Sequence, residues 1–301
     1  MNNTKQYYRV ADHLFVLEAD SQQLAQLRHF EPFIAELAEQ EIVFSLAIRI
    51  SALPSVDGWE AVHTDRSDED MPRIEMYRKK HEWLFCVSQY RDSEIVCALK
   101  CDEAFRNAEI YTSPETFRFA IDNATMLLFA FATGSRQTLL FHASVVVRQE
   151  KACLFLGHSG TGKSTHSRQW LETFPDAVLL NDDNPVVRAF GNEIRVYGSP
   201  WSGKTPCYKQ MNAPVAAFVQ LEQAPANSIQ PMRMTQAYPY LLASVSGLKV
   251  EQKMMDQIYE TLVALLENKP VYYLKCLPDH DAARLCAQTC LSWICRTDNS
   301  L

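Results

Sequence analysis

Basic charge, long apolar runs, paired cysteines and glycine are all in short supply in this sequence, and each shortage excludes something. Lys and Arg number 29 against 36 Asp and Glu, a net charge of −7. A chain that grips a phosphate backbone needs a basic surface, so nucleic acid is not expected as a partner. The most apolar segment, MLLFAFA at 126–132, falls well short of the roughly 18 residues that a membrane-spanning helix requires. No membrane partner is expected. MNNTKQYYRV at 1–10 has no signal-like apolar core, which makes the cytoplasm the expected compartment.

Nine cysteines stand at 86, 97, 101, 153, 207, 276, 286, 290 and 295, none of them in a C-x-x-C pair. Cys97/Cys101 and Cys286/Cys290 are spaced i, i+4, but no histidine lies at the interval a zinc site needs. Reduced thiols serving as small core residues are expected, with no metal or redox role. No internal repeat or low-complexity linker is visible. The 301 residues, 47% hydrophobic and 22% charged, suffice for one large domain or two ordinary ones.

Glycine is the most telling shortage. Only nine occur in the chain, yet 157, 160 and 162 fall inside one short segment, LFLGHSGTGKSTHSRQW at 154–170. A helix start gains nothing from glycines as such. They are explained by phosphate: Gly157, Gly162, Lys163 and Ser164 satisfy G-x-x-x-x-G-K-[ST]. Backbone N–H groups from Gly157, His158, Ser159, Gly160, Thr161, Gly162, Lys163, Ser164 and Thr165 would then form an anion nest at a helix N-terminus. Lys163 would reach the β- and γ-phosphates of ATP, and the Ser164 hydroxyl would bind Mg²⁺. The flanks agree, with a strand expected over KACLFL (151–156) and a helix over 163–174. The spacing does not fit the dinucleotide fingerprint G-x-G-x-x-G.

A second constellation is AVLLNDDNPVVR (177–188), an apolar run ending in Asp182 and Asp183. Open α/β sheets place ligands at the C-terminal ends of strands. A phosphoryl-transfer site needs one carboxylate for Mg²⁺ and another to take a proton from an attacking hydroxyl. Asp-Asp-Asn-Pro is also turn-forming on composition alone; the preceding phosphate motif favours the acidic site. A third segment, VYGSPWSGKTPCY (196–208), reads as a loop carrying Trp201 and Lys204. The letters fit a surface lysine as well as one that neutralises charge on a transferred phosphate.

Elsewhere, strands are expected at HLFVLEA (13–19), 42–50, 82–90, 93–101, 215–223 and 271–276. Helices are expected over 22–39, 113–133, 253–268 and 279–295. The charged segment HTDRSDEDMPR (63–73) reads as a solvated loop. TLLFHASVVV (138–147) and ACLFL (152–156), separated by RQEK, read as a hairpin that feeds the phosphate loop. The expected organisation is a small α+β domain at 1–112 and an α/β catalytic domain at 113–301, with 113–133 as a bridging helix.

Taken together, His142, the hairpin, GHSGTGKST, LLNDD and the Pro-Trp-Ser-Gly-Lys loop resemble the HPr kinase/phosphorylase-like group of the phosphoenolpyruvate-carboxykinase-like P-loop superfamily. The similarity is strongest over about 138–210 and nearest to bacterial relatives that keep NDDNPV and GSPWSGK. It implies a P-loop catalytic domain fed by a β-hairpin, with ATP cradled by 157–163. It further implies Ser164 on Mg²⁺, Asp182 as general base, Asp183 on the metal, His142 near the phosphates and Lys204 facing the transferred phosphate. Without the resemblance, His142 reads as a strand-start histidine satisfied by backbone. The glycine-rich signature that follows the aspartates in true HPr kinase/phosphorylases is absent, and NEIRVYG shares only Glu-Ile-Arg with it. The resemblance therefore carries the nucleotide site but not the acceptor, the reverse phosphorylase reaction or the hexamer. The expected activity is an ATP- and Mg²⁺-dependent phosphotransferase acting on a hydroxyl of a protein, peptide or small molecule, with homo-oligomers allowed. A non-catalytic ATP sensor and a carboxykinase-like enzyme are its rivals.

Overall fold

The structure is a computed structural model that describes residues 3–37, 39–65, 72–203 and 205–292. The chain divides into two compact units, 1–136 with 247–255 and 137–246 with 256–301. Both are mixed α/β.

The first unit is built on strands β1 (Thr4–Val10), β2 (His13–Ala19), β3 (Ile34–Ala35), β4 (Ile42–Ile50), β5 (Glu60–Asp65), β6 (Ile74–Lys79), β7 (Glu82–Ser88), β8 (Ile95–Asp102) and β9 (Asn107–Thr112). They form one sheet in the order β3-β1-β2-β4-β9-β8-β7-β6-β5. A strand alternates its side chains between two faces, and here the faces differ. Phe15, Phe44, Phe85 and Ile110 are buried. Helix α2 (Phe117–Thr133) lays Phe129 near Phe15 and Phe131 near Phe85, ring centroids 6.4 and 5.5 Å apart. The other face carries ion pairs between neighbouring strands: Lys5–Glu18, Arg49–Glu109 and Lys100–Glu82, each at 2.8 Å.

The helix expected over 22–39 is not formed. Helix α1 covers only Ser21–Leu24, a 3₁₀ segment follows at Arg28–Phe33, and β3 then pairs with β1. Pro32 removes a helical donor. The helix-like spacing at 27, 30 and 33 is met instead by Leu27, Phe30 and Phe33 packed into the core. The expected 113–133 helix begins at Phe117 after Thr116 and packs within the first unit. Of the charged segment 63–73, residues 63–65 belong to β5, and 66–71 lie outside the described residues.

The second unit contains β10 (Thr138–Phe141), β11 (Ala143–Arg148), β12 (Lys151–Leu156), β13 (Val178–Asp183), β14 (Val186–Phe190), β15 (Glu193–Tyr197), β16 (Asn212–Gln223), β17 (Ser228–Pro231), β18 (Val245–Ser246) and β19 (Val271–Cys276). The sheet runs β13-β11-β12-β16-β15-β14-β10-β18, with β19 also on β16 and β17 on β19. Its helices are α3 (Lys163–Thr173), α4 (Met234–Ser244), α5 (Gln252–Asn268), which leads the chain back from the first unit, and α6 (His280–Leu291). Helices α3 and α6 cover one sheet face through Trp170, Ala283, Cys286 and Ala287 packed on Phe155, Val219, Leu221 and Leu274.

The topology converges on one edge. β11 and β12 form the expected hairpin, turned by Gln149 and Glu150, both at positive φ. β13 is antiparallel to β11 and therefore runs with β12, as β16 and β19 do. The C-terminal ends of β12, β13 and β16 thus share an edge with the N-terminal end of β11. The single strand expected at 138–147 is broken at His142: β10 pairs with β14 and β18, while β11 pairs with β12 and β13.

Candidate functional site

The segment between β12 and α3 has the expected strand–loop–helix order. All three glycines in it adopt positive φ, Gly160 at +79 among them. Gly162 caps α3 at φ +103, a region that L side chains rarely adopt. Gly157 sits at φ +151, and a Cβ there would meet the Thr161 side chain at 2.9 Å. Thr161 closes the turn by donating to the His158 carbonyl, 2.7 Å from Oγ1 and 3.2 Å from N. At the end of β16, Gln223 Nε2 donates to the Gly160 carbonyl at 3.0 Å. The first helical bond runs from His166 N to Gly162 O at 2.8 Å. An α-helix leaves the amides of its first turn, here Lys163, Ser164 and Thr165, without an intrahelical partner, and the helix dipole favours an anion there.

Lys163 opens α3 and is buried, 9% exposed. Its ammonium donates to the carbonyls of Gly157 (2.8 Å) and His158 (3.2 Å) and to Nε2 of His142 (2.9 Å). An ammonium only donates, so Nε2 must accept and the His142 proton lies on Nδ1. Nδ1 in turn stands 3.1 Å from Asp183 Oδ1. A chain Lys163→His142→Asp183 results, placed by the break between β10 and β11. Burial lowers the Lys163 pKa, while Asp183 and Asp182 oppose the shift.

The aspartates close the β13 strand. Ser144 and Ala143 on β11 lie opposite Asp182 and Asp183. Asp182 is buried, and Ser164 Oγ donates to its Oδ1 at 3.0 Å. Asp183 is half-buried and adopts φ +124, a strained value for a non-glycine residue. The loop after β15 folds back on this strand end. Gly203 N and Ser202 Oγ donate to the Asp182 carbonyl at 2.7 and 3.0 Å, and Trp201 is buried beneath them.

His142, Lys163, Ser164, Asp182 and Asp183, predicted from three separate segments, are therefore brought together at one edge. His158, Ser159, Gly160 and Thr161 line the loop, and Thr165 lies in the first turn of α3. Lys204 lies outside the described residues. Glu193 begins β15 and pairs with Arg195 at 2.7 Å. Sequence reasoning missed Asn181, Asn184, Ser199, Gly203 and Gln223. Asn184 read as part of an Asp-Asp-Asn-Pro turn, Asn181 was carried only within the run LLNDD, and nothing marked Gln223.

Behind the loop, His166 is 3% exposed and accepts from Trp170 Nε1 at 3.1 Å. Burial pushes its pKa down to about 4, with a weaker opposing pull from Asp279. The imidazole is thus a neutral part of the core on which the loop is mounted.

No protein-family model matches this chain, and no curated protein matches it.

Proposed function

We propose that the protein is an ATP- and Mg²⁺-dependent phosphotransferase of the P-loop type, acting in the cytoplasm on a hydroxyl acceptor. The observation that carries this reading is the placement of Lys163. A buried ammonium is held by the carbonyls of a glycine-bent loop at a helix N-terminus, beside a hydroxyl–carboxylate pair and a second carboxylate. A buried cation is costly unless it has partners, and phosphate oxygens are the natural exchange for carbonyls at this position. Eight free cysteines among the described residues suit a reducing compartment.

The residues also fit Mg²⁺. Ser164 Oγ and Asp182 Oδ1, 3.0 Å apart, are hard oxygen donors. No group of three or more His, Cys, Asp and Glu side chains forms a metal cage among the described residues. Mg²⁺ commonly takes one or two protein oxygens and completes its shell with water and substrate phosphates. When bound, it would neutralise charge across the β- and γ-phosphates.

The loop amides and Lys163 would hold the triphosphate. The bond from Ser164 favours Asp182 as the metal-side carboxylate, the reverse of the division that the resemblance implies. Asp183, nearer solvent, would then accept the proton of the incoming hydroxyl as its oxygen bonds to the γ-phosphorus and ADP leaves. His142 would hold that carboxylate in place while accepting from Lys163.

The test is transfer of label from γ-labelled ATP, with Mg²⁺, to a panel of serine peptides and small alcohols. The expected result is label on at least one acceptor and none with Lys163→Ala. ATP binding without turnover, with Asp182→Asn and Asp183→Asn equally impaired in binding, would instead make the protein a nucleotide sensor.

A further inference from the structure

We propose that Asn181 and Gly203 are positioning residues that fix the Asp183 carboxylate against His142. The role of Asp183 in transfer rests on the phosphotransferase reading; its positioning does not.

The argument begins with β13. Opposite β11, the register shifts so that Val145 faces Asn181 and Val146 faces Leu179, leaving Leu180 as an extra residue. A bulge re-aims the side chains beyond it, and Leu180, Asn181 and Asp182 are consecutively buried where a plain strand would alternate. Asn181, wholly buried, uses both ends of its carboxamide. Nδ2 donates to Ser199 Oγ at 3.1 Å and the Trp201 carbonyl at 3.2 Å, while Oδ1 accepts from Asn184 N at 2.9 Å. Asn184 Nδ2 then donates to Asp183 Oδ2 at 2.9 Å, and Ser199 Oγ donates to the Asn184 carbonyl at 2.6 Å. One buried side chain thus joins the turn after Asp183 to the 199–203 loop.

That loop presses on the carboxylate directly. A Cβ built on Gly203 would stand 3.0 Å from Asp183 Cβ, 3.2 Å from Cγ and 3.4 Å from Oδ2. The glycine is needed here for space. With Asp183 at φ +124, its backbone has no relaxed alternative that keeps the same direction, so the surroundings must hold it. Aspartate at 181 would not serve, because it lacks the two donors that meet Ser199 and Trp201 and would bury a charge.

Crystal structures of the wild-type chain and of Gly203→Ala and Gly203→Val test the proposal without any need for activity. The expected result is a graded displacement: Asp183 Oδ1 lies within hydrogen-bond distance of His142 Nδ1 in the wild type, farther in the alanine variant and out of reach in the valine variant. Asn181→Ala is expected to release the same contact while the variant remains folded by circular dichroism. An unmoved carboxylate in Gly203→Val overturns the proposal, as does a wild type without the His142–Asp183 contact. In turnover assays, Gly203→Val should lower kcat at least about tenfold with the ATP Kd nearly unchanged, and should add nothing to Asp183→Asn. Additive losses would show a merely structural role and also overturn it. Absence of any ATP binding or turnover in the wild type would strike the phosphotransferase reading alone.

Discussion

The two units use the same materials to different ends. In the first, among the described residues, non-glycine residues with left-handed backbone sit only in turns between adjacent antiparallel strands: Ala11 and Asp12, Lys80, and Phe105. Its charged residues pair across neighbouring strands on a half-exposed face. In the second unit Gln149 and Glu150 do the same turn-making work, Gln137 stands between a 3₁₀ turn and β10, and Asp183 ends β13 with no hairpin to close, since β13 and β14 are not neighbours. It also has exposed pairs such as Arg195–Glu193, but His142, Lys163, Asp182 and Asp183 meet at one sheet edge, with Lys163 and Asp182 buried. A positive φ that closes a hairpin is explained by the hairpin; at Asp183, beside a buried lysine, it has no such local explanation.

The strongest way to break this contrast is kinetic. Asp183→Asn is expected to lower phosphoryl transfer by ~10²–10⁴-fold, the usual worth of a general base, with ATP·Mg²⁺ binding nearly intact. Arg49→Met, on the open face of the first unit, is expected to leave transfer unchanged and to cost under about 1 kcal/mol of stability, because that pair is well exposed. Steady-state rates and denaturant unfolding of the two variants check both arms. Equal effects from both would erase the distinction between the units.

A smaller effect concerns acid. His166 has its folded-state pKa pushed down to about 4 from the ordinary 6.5. Between those values the unfolded chain binds more protons, so stability falls as pH drops from about 6.5 to about 4 and is unaffected by this group above that window. The full loss is about 3 kcal/mol. His166→Gln, which can still accept from Trp170, is expected to flatten the curve across that window. Urea unfolding at a series of pH values measures it, and an unaltered slope would show that the imidazole is not the titrating group.

The site was more legible in the sequence than the fold around it. A motif of fixed residue types at fixed spacing is visible in the letters, so 157–164 stood out as a candidate, and an acidic pair ending an apolar strand stood out beside it. What stayed hidden depends on long-range pairing. The spacing at 27, 30 and 33 imitated a helix because 3₁₀ and α periodicities nearly coincide over two turns, and only Pro32 and the pairing of β3 with β1 distinguish them. His142 read as a strand-start histidine, but nothing local marks it as the point where β10 and β11 part to different neighbours. The bulge at Leu180 is likewise invisible in its letters. It turns Asn181, which read only as part of an apolar strand run, into the buried hub of the loop.

The central claim is that the 157–164 loop binds a nucleoside triphosphate with Mg²⁺. Thermal unfolding of the wild-type chain and of Lys163→Ala, with and without ATP·Mg²⁺, tests it most directly. At about 100-fold excess over Kd, binding adds about 2.7 kcal/mol, a rise of roughly 5–10 °C in the Tm of a unit of this size. That rise is expected in the wild type and should nearly vanish in Lys163→Ala. An unchanged wild-type melting curve at saturating ATP·Mg²⁺, or an equal rise in Lys163→Ala, would contradict the account.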